Sequence, residues 1–331
     1  MKKTAFICNN PDTINRVYDK GRKEKIAEIS HLYPHIITSE NINQHKERLK
    51  DVEAVFSTWG MPKLSDEQLN ILPGLKAVFY AAGSVKGFAG PLLDRNIIVM
   101  SGWGANGVPV AEFALAQILL SNKGYFKNTR AHTSREERHH AYRGPGNFGE
   151  TVAILGAGMI GKTLIKLLSN FVLDIIVWDP FLSPEDADKM GVEKVSTLKE
   201  AFQRGFVVTN HLANVPETVG LITGKHFSVM RPNATFINTG RGATIVEKDL
   251  ISVFQEREDL TALLDVTYPE PPEEGSPLYT MPNVNLTSHI AGSMGAEVVR
   301  MADYAIEEFQ AWEQGKPLTY EVTHDMLATM A

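Results

Sequence analysis

Thr151-Val152-Ala153-Ile154-Leu155-Gly156-Ala157-Gly158-Met159-Ile160-Gly161 joins a short apolar, β-prone run to a Gly-x-Gly-x-x-Gly turn, and Lys162-Thr163-Leu164-Ile165-Lys166-Leu167-Leu168 continues it with helical character. Alone, such a turn is weak evidence. Between a strand and a helix the three glycines do different things. Gly156 permits the tight turn, Gly158 lets the backbone approach a pyrophosphate, and Gly161 allows close helix-strand contact. The start of the helix, with Met159 and Ile160, then faces the phosphates with its free N–H groups. The next apolar run ends in Val177-Trp178-Asp179, about 20 residues on, where an acid for the ribose hydroxyls belongs. A carboxylate there repels a 2'-phosphate by ~4 kcal/mol at 4 Å and an effective dielectric of 20. Pro180-Phe181-Leu182-Ser183 brings no arginine to reverse that preference. NAD is therefore expected over NADP.

Beyond this stretch, further β-rich runs follow at 175–178, 206–209, 235–238, 262–265 and 285–288, with helical stretches between them. This reads as a doubly wound parallel sheet. Before it, runs at 4–8, 54–58, 76–80 and 97–100 alternate with polar helical stretches and predict a smaller α/β unit. Ser101-Gly102-Trp103-Gly104-Ala105-Asn106-Gly107 reads as a Gly-rich connection. A helix is expected from 108 to about 128, apolar on nearly all sides and so in need of cover, for which a second subunit is a reasonable source. Residues 130–140 carry mixed charge without an apolar period and predict a solvated connector. His139 and His140 are adjacent and point apart, so no metal site is expected there. A last helical segment spans about 293–315.

With 331 residues the chain is long enough for roughly two domains of ~150 residues each. Its 43% hydrophobic and 22% charged residues exclude disorder. Thirty-three Lys and Arg against 39 Asp and Glu leave a net charge of -6, so a broad cationic surface for nucleic acid or acidic lipid is not expected. The single cysteine, Cys8, sits in an apolar run and reads as a buried structural thiol in a reducing compartment. The apolar stretch at the N-terminus is too short for a signal-peptide core, and 108–120 is shorter than the ~20 residues a bilayer needs. A cytoplasmic protein is expected.

Three segments follow the later strands of the second sheet: Asn238-Thr239-Gly240-Arg241-Gly242, Asp265-Val266-Thr267-Tyr268-Pro269-Glu270-Pro271-Pro272 and Ser288-His289-Ile290-Ala291-Gly292. Residues just past strand carboxyl ends line the ligand crevice of such a sheet, so these groups can converge although distant in sequence. Together with Val110-Ala111-Glu112, the glycine turn with Asp179, and Pro216-Glu217-Thr218, they make the chain resemble the D-isomer-specific 2-hydroxyacid dehydrogenases from about residue 54 to 309.

The resemblance implies two Rossmann-like domains: a doubly wound NAD-binding domain, 103–289, inserted into a smaller flavodoxin-like substrate domain, 1–102 with 290–331. It implies a catalytic Arg241, Glu270 and His289, a homodimer built partly on the helix near 108, and a small 2-oxo or 2-hydroxy acid as substrate. Asp265 resembles the position that contacts the nicotinamide carboxamide, and Thr239 and Gly240 are further cofactor candidates. Reduction of a 2-oxo acid needs a hydride at C2 and a proton at the carbonyl oxygen. An imidazolium, His289, can supply that proton near neutral pH. A carboxylate at Glu270 would favour and orient that imidazolium, and the planar fork of Arg241 suits the substrate carboxylate and its neighbouring carbonyl oxygen.

Two segments depart from the family pattern. Ala82-Gly83-Ser84-Val85-Lys86-Gly87 replaces Gly-x-Gly-x-Asp, leaving the backbone amides of Gly83, Ser84 and Val85 as carboxylate donors. Ala213-Asn214-Val215 replaces Pro-Leu-Thr after His211. Trp59 and Trp103 are candidates for meeting the substrate's R group, with core packing the equal alternative. Two other functions remain open at this level: a formate- or phosphite-type dehydrogenase, although formate dehydrogenases carry Gln where this chain has Glu270, and an NAD(H)-sensing, corepressor-like module.

Overall fold

The computed structural model describes residues 1–329. It divides into two compact units, Met1–Asn106 with the stretch that begins at Ser293, and Gly107–Gly292. Both edges fall a few residues beyond the 102 and 289 that the family resemblance implies. The first unit holds β1 (Lys3–Ile7), β2 (His31–Ile37), β3 (Ala54–Ser57), β4 (Ala77–Tyr80) and β5 (Ile98–Ser101). The second holds β6 (Phe148–Leu155), β7 (Val172–Trp178), β8 (Glu193–Lys194), β9 (Val207–Asn210), β10 (Thr235–Asn238), β11 (Thr261–Leu264) and β12 (Val284–Leu286), and β13 (Glu321–Val322) belongs again to the first.

In the first unit the order is β13-β5-β4-β3-β1-β2, parallel except for β13, which runs antiparallel to β5. Every residue of β3 and β4 is buried, the signature of parallel strands covered on both faces. Part of that cover is the C-terminal helix Val299–Glu313, whose Phe309 ring lies 5.2 Å from Phe56 and 5.5 Å from Phe79. The buried Glu308 carboxylate accepts from Thr319 N–H at 3.0 Å and Tyr320 N–H at 3.3 Å, which turns the chain back toward β13.

The second unit is a parallel sheet in the order β12-β11-β10-β9-β6-β7-β8. Connections wind outward in both directions from β6, so the β6/β9 boundary is the switch point beside which ligands bind. Val152, Ala153, Ile154 and Leu155 of β6 are fully buried. Phe202, Phe227, Phe236 and Phe254 pack ring to ring on one face.

Several sequence expectations need correction. The Gly-rich segment 101–107 is not a connection, because the long helix already starts at Trp103 and runs to Asn122 with Pro109 inside it. Its glycines serve contact: a Cβ on Gly104 would stand 2.4 Å from Tyr320 Cε1, and one on Gly107 2.2 Å from Met159 Cε. The helix also stops short of 128. Gly124 takes a left-handed φ of +74° and begins a separate helix, Tyr125–Ala131. Strand β2 is not apparent in the sequence because Pro34 and the exposed His31 and His35 interrupt its pattern; it lies at a sheet edge, where proline is tolerated. No helix among the described residues is long and apolar enough to cross a membrane.

Candidate active site

The glycine turn follows β6 and leads into the helix Met159–Leu168. Gly156 has φ +93°, and a Cβ on Gly161 would stand 2.1 Å from the Gly156 carbonyl oxygen, so both positions are closed to side chains. At Gly158, by contrast, an added Cβ would meet nothing within 4 Å. The space above Gly158 is open, and no side chain caps the helix there, which is the cradle a pyrophosphate requires. Asp179, just past β7, accepts from Ala157 N–H at 2.7 Å through Oδ2 and from Phe181 N–H at 2.7 Å through Oδ1. Each oxygen keeps a second acceptor position for a ribose hydroxyl. Met159 is half-buried against Gly107, and Ile160 lies beside it. The donor set fits a dinucleotide.

Arg241, Glu270 and His289 follow β10, β11 and β12, three neighbouring strands. His289 Nδ1 lies 2.6 Å from Glu270 Oε1, with the two side chains 48% and 40% exposed. His289 Nε2 makes no hydrogen bond among the described residues. The half-buried Arg241 donates from Nη1 to the Gly240 carbonyl at 2.8 Å. Burial pulls its guanidinium below its ordinary value, and the charge of Glu270 opposes that pull. A cavity of about 530 Å³, lined by Asp265, Thr267, Glu270, Tyr279, Thr287 and His289, opens beside the pair.

Asp265 is placed under the His289 loop. Its carboxylate accepts from Thr287 Oγ1 at 2.6 Å, Ile290 N–H at 2.8 Å and Ala291 N–H at 3.0 Å. Its carbonyl takes His289 N–H at 3.1 Å. His289 itself has φ +59°, a left-handed conformation that a side-chain-bearing residue keeps only when its surroundings hold it.

Thr239 and Gly240 are buried at the β9/β10 junction. Thr239 Oγ1 lies 3.2 Å from His211 Nδ1, and His211 Nε2 lies 2.9 Å from Thr209 Oγ1. Burial pushes His211 down to about 4, so the ring is neutral at ordinary pH. In the sequence this residue shows only as a strand end; the flanking Thr209 is the available signal.

In the first unit, Val85 is fully buried and Ser84 exposed. The N–H groups of Gly83, Ser84 and Val85 have no acceptor among the described residues, an arrangement suited to an anion. Asn106, which reads in the sequence as part of a connection, stands beside this loop: its Nδ2 is 3.7 Å from the position of a Gly83 Cβ, while its Oδ1 accepts from Ser293 N–H at 3.0 Å. Trp59 is half-buried, with the Arg16 guanidinium 5.7 Å from its ring centroid. The Trp103 ring packs on Tyr320 at 5.5 Å.

Residues 115–291 match the family described as "D-isomer specific 2-hydroxyacid dehydrogenase, NAD binding domain". The chain belongs to that family. Its cofactor is NAD. The chain is 29% identical over 248 residues to a D-3-phosphoglycerate dehydrogenase of Methanocaldococcus jannaschii, covering 75% of this chain and 47% of that protein. It is 31% identical over 206 residues to a putative 2-hydroxyacid dehydrogenase of Bacillus subtilis, covering 60% and 59%. The chain thus spans about half the length of the curated relatives it matches. Among solved structures, apo D-mandelate dehydrogenase of Rhodotorula graminis superposes with a TM-score of 0.81 at 21% identity, covering 97% of this chain and 98% of that one. D-2-hydroxyisocaproate dehydrogenase superposes at 0.77 and 22%, covering 97% and 99%. Both likenesses are of fold, two Rossmann-like domains.

Proposed function

We propose that this chain is an NAD-dependent dehydrogenase interconverting a 2-oxo acid and a D-2-hydroxy acid, with Arg241, Glu270 and His289 as its catalytic set. The observation that carries the reading is the 2.6 Å contact between His289 Nδ1 and Glu270 Oε1. It occupies one ring nitrogen with a carboxylate and leaves Nε2 as the proton donor. NADH, when bound, supplies the hydride for C2.

His289 gives its proton to the carbonyl oxygen as charge builds there, and takes it back in the oxidative direction. Glu270 stabilises the imidazolium and fixes the ring's orientation, because a carboxylate within hydrogen-bond reach favours the charged form. Arg241 holds the substrate carboxylate with its fork and offsets the developing negative charge. Gly156, Gly158, Met159, Ile160, Gly161 and Asp179 bind the dinucleotide, with Thr239, Gly240 and Asp265 as further cofactor-binding residues. The amides of Gly83, Ser84 and Val85 have the chemistry for a carboxylate. Formate-type oxidation needs no proton donor, and the presence of a carboxylate at Glu270 favours a reaction that does.

The test is loss of NADH absorbance with purified protein and a panel of 2-oxo acids: glyoxylate, pyruvate, hydroxypyruvate, branched and aromatic acids. Turnover with one or more of them supports an enzyme. NADH binding without turnover across the panel would favour a nicotinamide-sensing module instead.

A further inference from the structure

Asn210 and Asn238 end β9 and β10, are paired in register across the two strands, and are both fully buried. A buried primary amide is costly unless its donors and acceptors find partners. Asn210 Oδ1 accepts from Leu212 N–H at 3.2 Å, which turns the NH2 end of the amide toward β10. Both hydrogens of that NH2 are used: Nδ2 donates to Asn238 Oδ1 at 3.0 Å and to Thr244 Oγ1 at 2.9 Å. The Thr244 hydroxyl, accepting there, sends its own hydrogen to the Arg241 carbonyl at 2.7 Å. Asn238 completes the set, accepting from Gly240 N–H at 3.1 Å through Oδ1 and donating from Nδ2 to the Arg241 carbonyl at 3.3 Å.

These bonds converge on the turn that carries Arg241. The strand positions just before the pair hold buried Val208, Phe236 and Ile237, which is what packing alone asks of this sheet. An apolar pair at 210 and 238 would satisfy packing and leave the turn unfixed. The Arg241 side chain has little support of its own: among the described residues its guanidinium bonds only to the Gly240 carbonyl, at 2.8 Å from Nη1. Its direction is therefore set by the backbone at 240 and 241. Asn210 holds both of those residues, Gly240 through Asn238 and Arg241 through Asn238 and Thr244. A guanidinium fork that must meet a carboxylate with two parallel bonds tolerates little misalignment.

We propose that Asn210 is a positioning residue for Arg241, acting through Asn238 and Thr244, an inference that rests on the assignment of the substrate carboxylate to Arg241. It is tested on the whole chain by single-turnover reduction of the preferred 2-oxo acid across acid concentrations, with NADH affinity from fluorescence titration of the same samples. Asn210→Leu, close in volume, is expected to lower the second-order rate constant for the acid about tenfold, the scale of a sub-ångström misplacement at a reacting centre. The loss should lie in apparent affinity for the acid, with NADH affinity as in wild type. Thr244→Val removes only the relaying hydroxyl and is expected to act in the same direction; it carries the test where Asn210→Leu does not fold. Arg241→Gln closes a double-mutant cycle: in that background neither substitution should cause further loss. Wild-type rates in the single variants, an equal fall in NADH affinity, or the same loss on top of Arg241→Gln would each overturn the positioning role. An Arg241→Gln protein as active as wild type would instead remove the reading of Arg241 beneath it.

Discussion

Glu270 Oε1 and His289 Nδ1 stand 2.6 Å apart, although nineteen residues separate them in the chain. The contact exists because β11 and β12 are parallel neighbours, so the loops leaving their carboxyl ends meet at one edge of the sheet. A carboxylate at that distance does two things to an imidazole: it selects the tautomer with hydrogen on Nδ1, and it fixes the orientation of the ring.

Glu270→Gln keeps a hydrogen-bond acceptor for Nδ1–H but removes the charge. Reduction of the preferred 2-oxo acid should fall about tenfold at neutral pH, the effect of ~1.4 kcal/mol. Steady-state assays at neutral pH decide this; an unchanged rate would remove Glu270 from the role given to it.

Asp265→Asn replaces an acceptor-only group with one that carries its own N–H donors, facing Thr287 Oγ1 and the N–H groups of Ile290 and Ala291. At least one buried N–H loses its partner, at a cost of about 1–3 kcal/mol. Denaturant unfolding should register that loss. The same variant should lose kcat far more than NADH affinity, because the His289 backbone at φ +59° depends on this clamp. A variant with wild-type kcat would show that the loop holds itself.

Asp179→Ala should narrow the preference for NADH over NADPH, since the charge that repels a 2'-phosphate is gone. NADH binding should weaken at the same time, because Ala157 and Phe181 N–H lose their acceptor. The ratio of kcat/KM for the two cofactors reads it directly. An unaltered ratio would contradict the assignment of Asp179 to the ribose.

His211 gives a pH dependence of stability. Its ring is pushed down to about 4 by burial, against ~6.5 in the unfolded chain. The folded protein therefore binds fewer protons than the unfolded one between those values. The stabilisation is fully present above about pH 6.5 and is lost as pH falls toward 4, by on the order of 3 kcal/mol in all. Urea unfolding of wild type and His211→Asn at pH 7 and pH 5 should show a smaller pH effect in the variant; parallel losses would place the acid sensitivity elsewhere.

The parts legible in the sequence are those where a residue type answers to a local demand. Gly156 and Gly161 are required by a turn and a contact that both lie within 151–161, and Asp179 ends the adjacent strand. The parts that are not legible depend on distant partners. Gly104 and Gly107 look like breakers until Tyr320 and Met159 are seen to need their missing side chains. Asp265 shows nothing in sequence of the three donors that reach its carboxylate from 287–291. Asn106 shows nothing in sequence of its proximity to Gly83, because the two meet only where β4 and β5 end side by side.

The deciding comparison sets wild type against His289→Asn in single-turnover reduction of the best 2-oxo acid, with NADH affinity determined by fluorescence titration on the same samples. With His289 as proton donor, the variant binds NADH as the wild type does and its hydride-transfer rate falls by ~10²–10⁴. A His289→Asn protein that binds NADH normally and turns over at the wild-type rate would contradict that assignment.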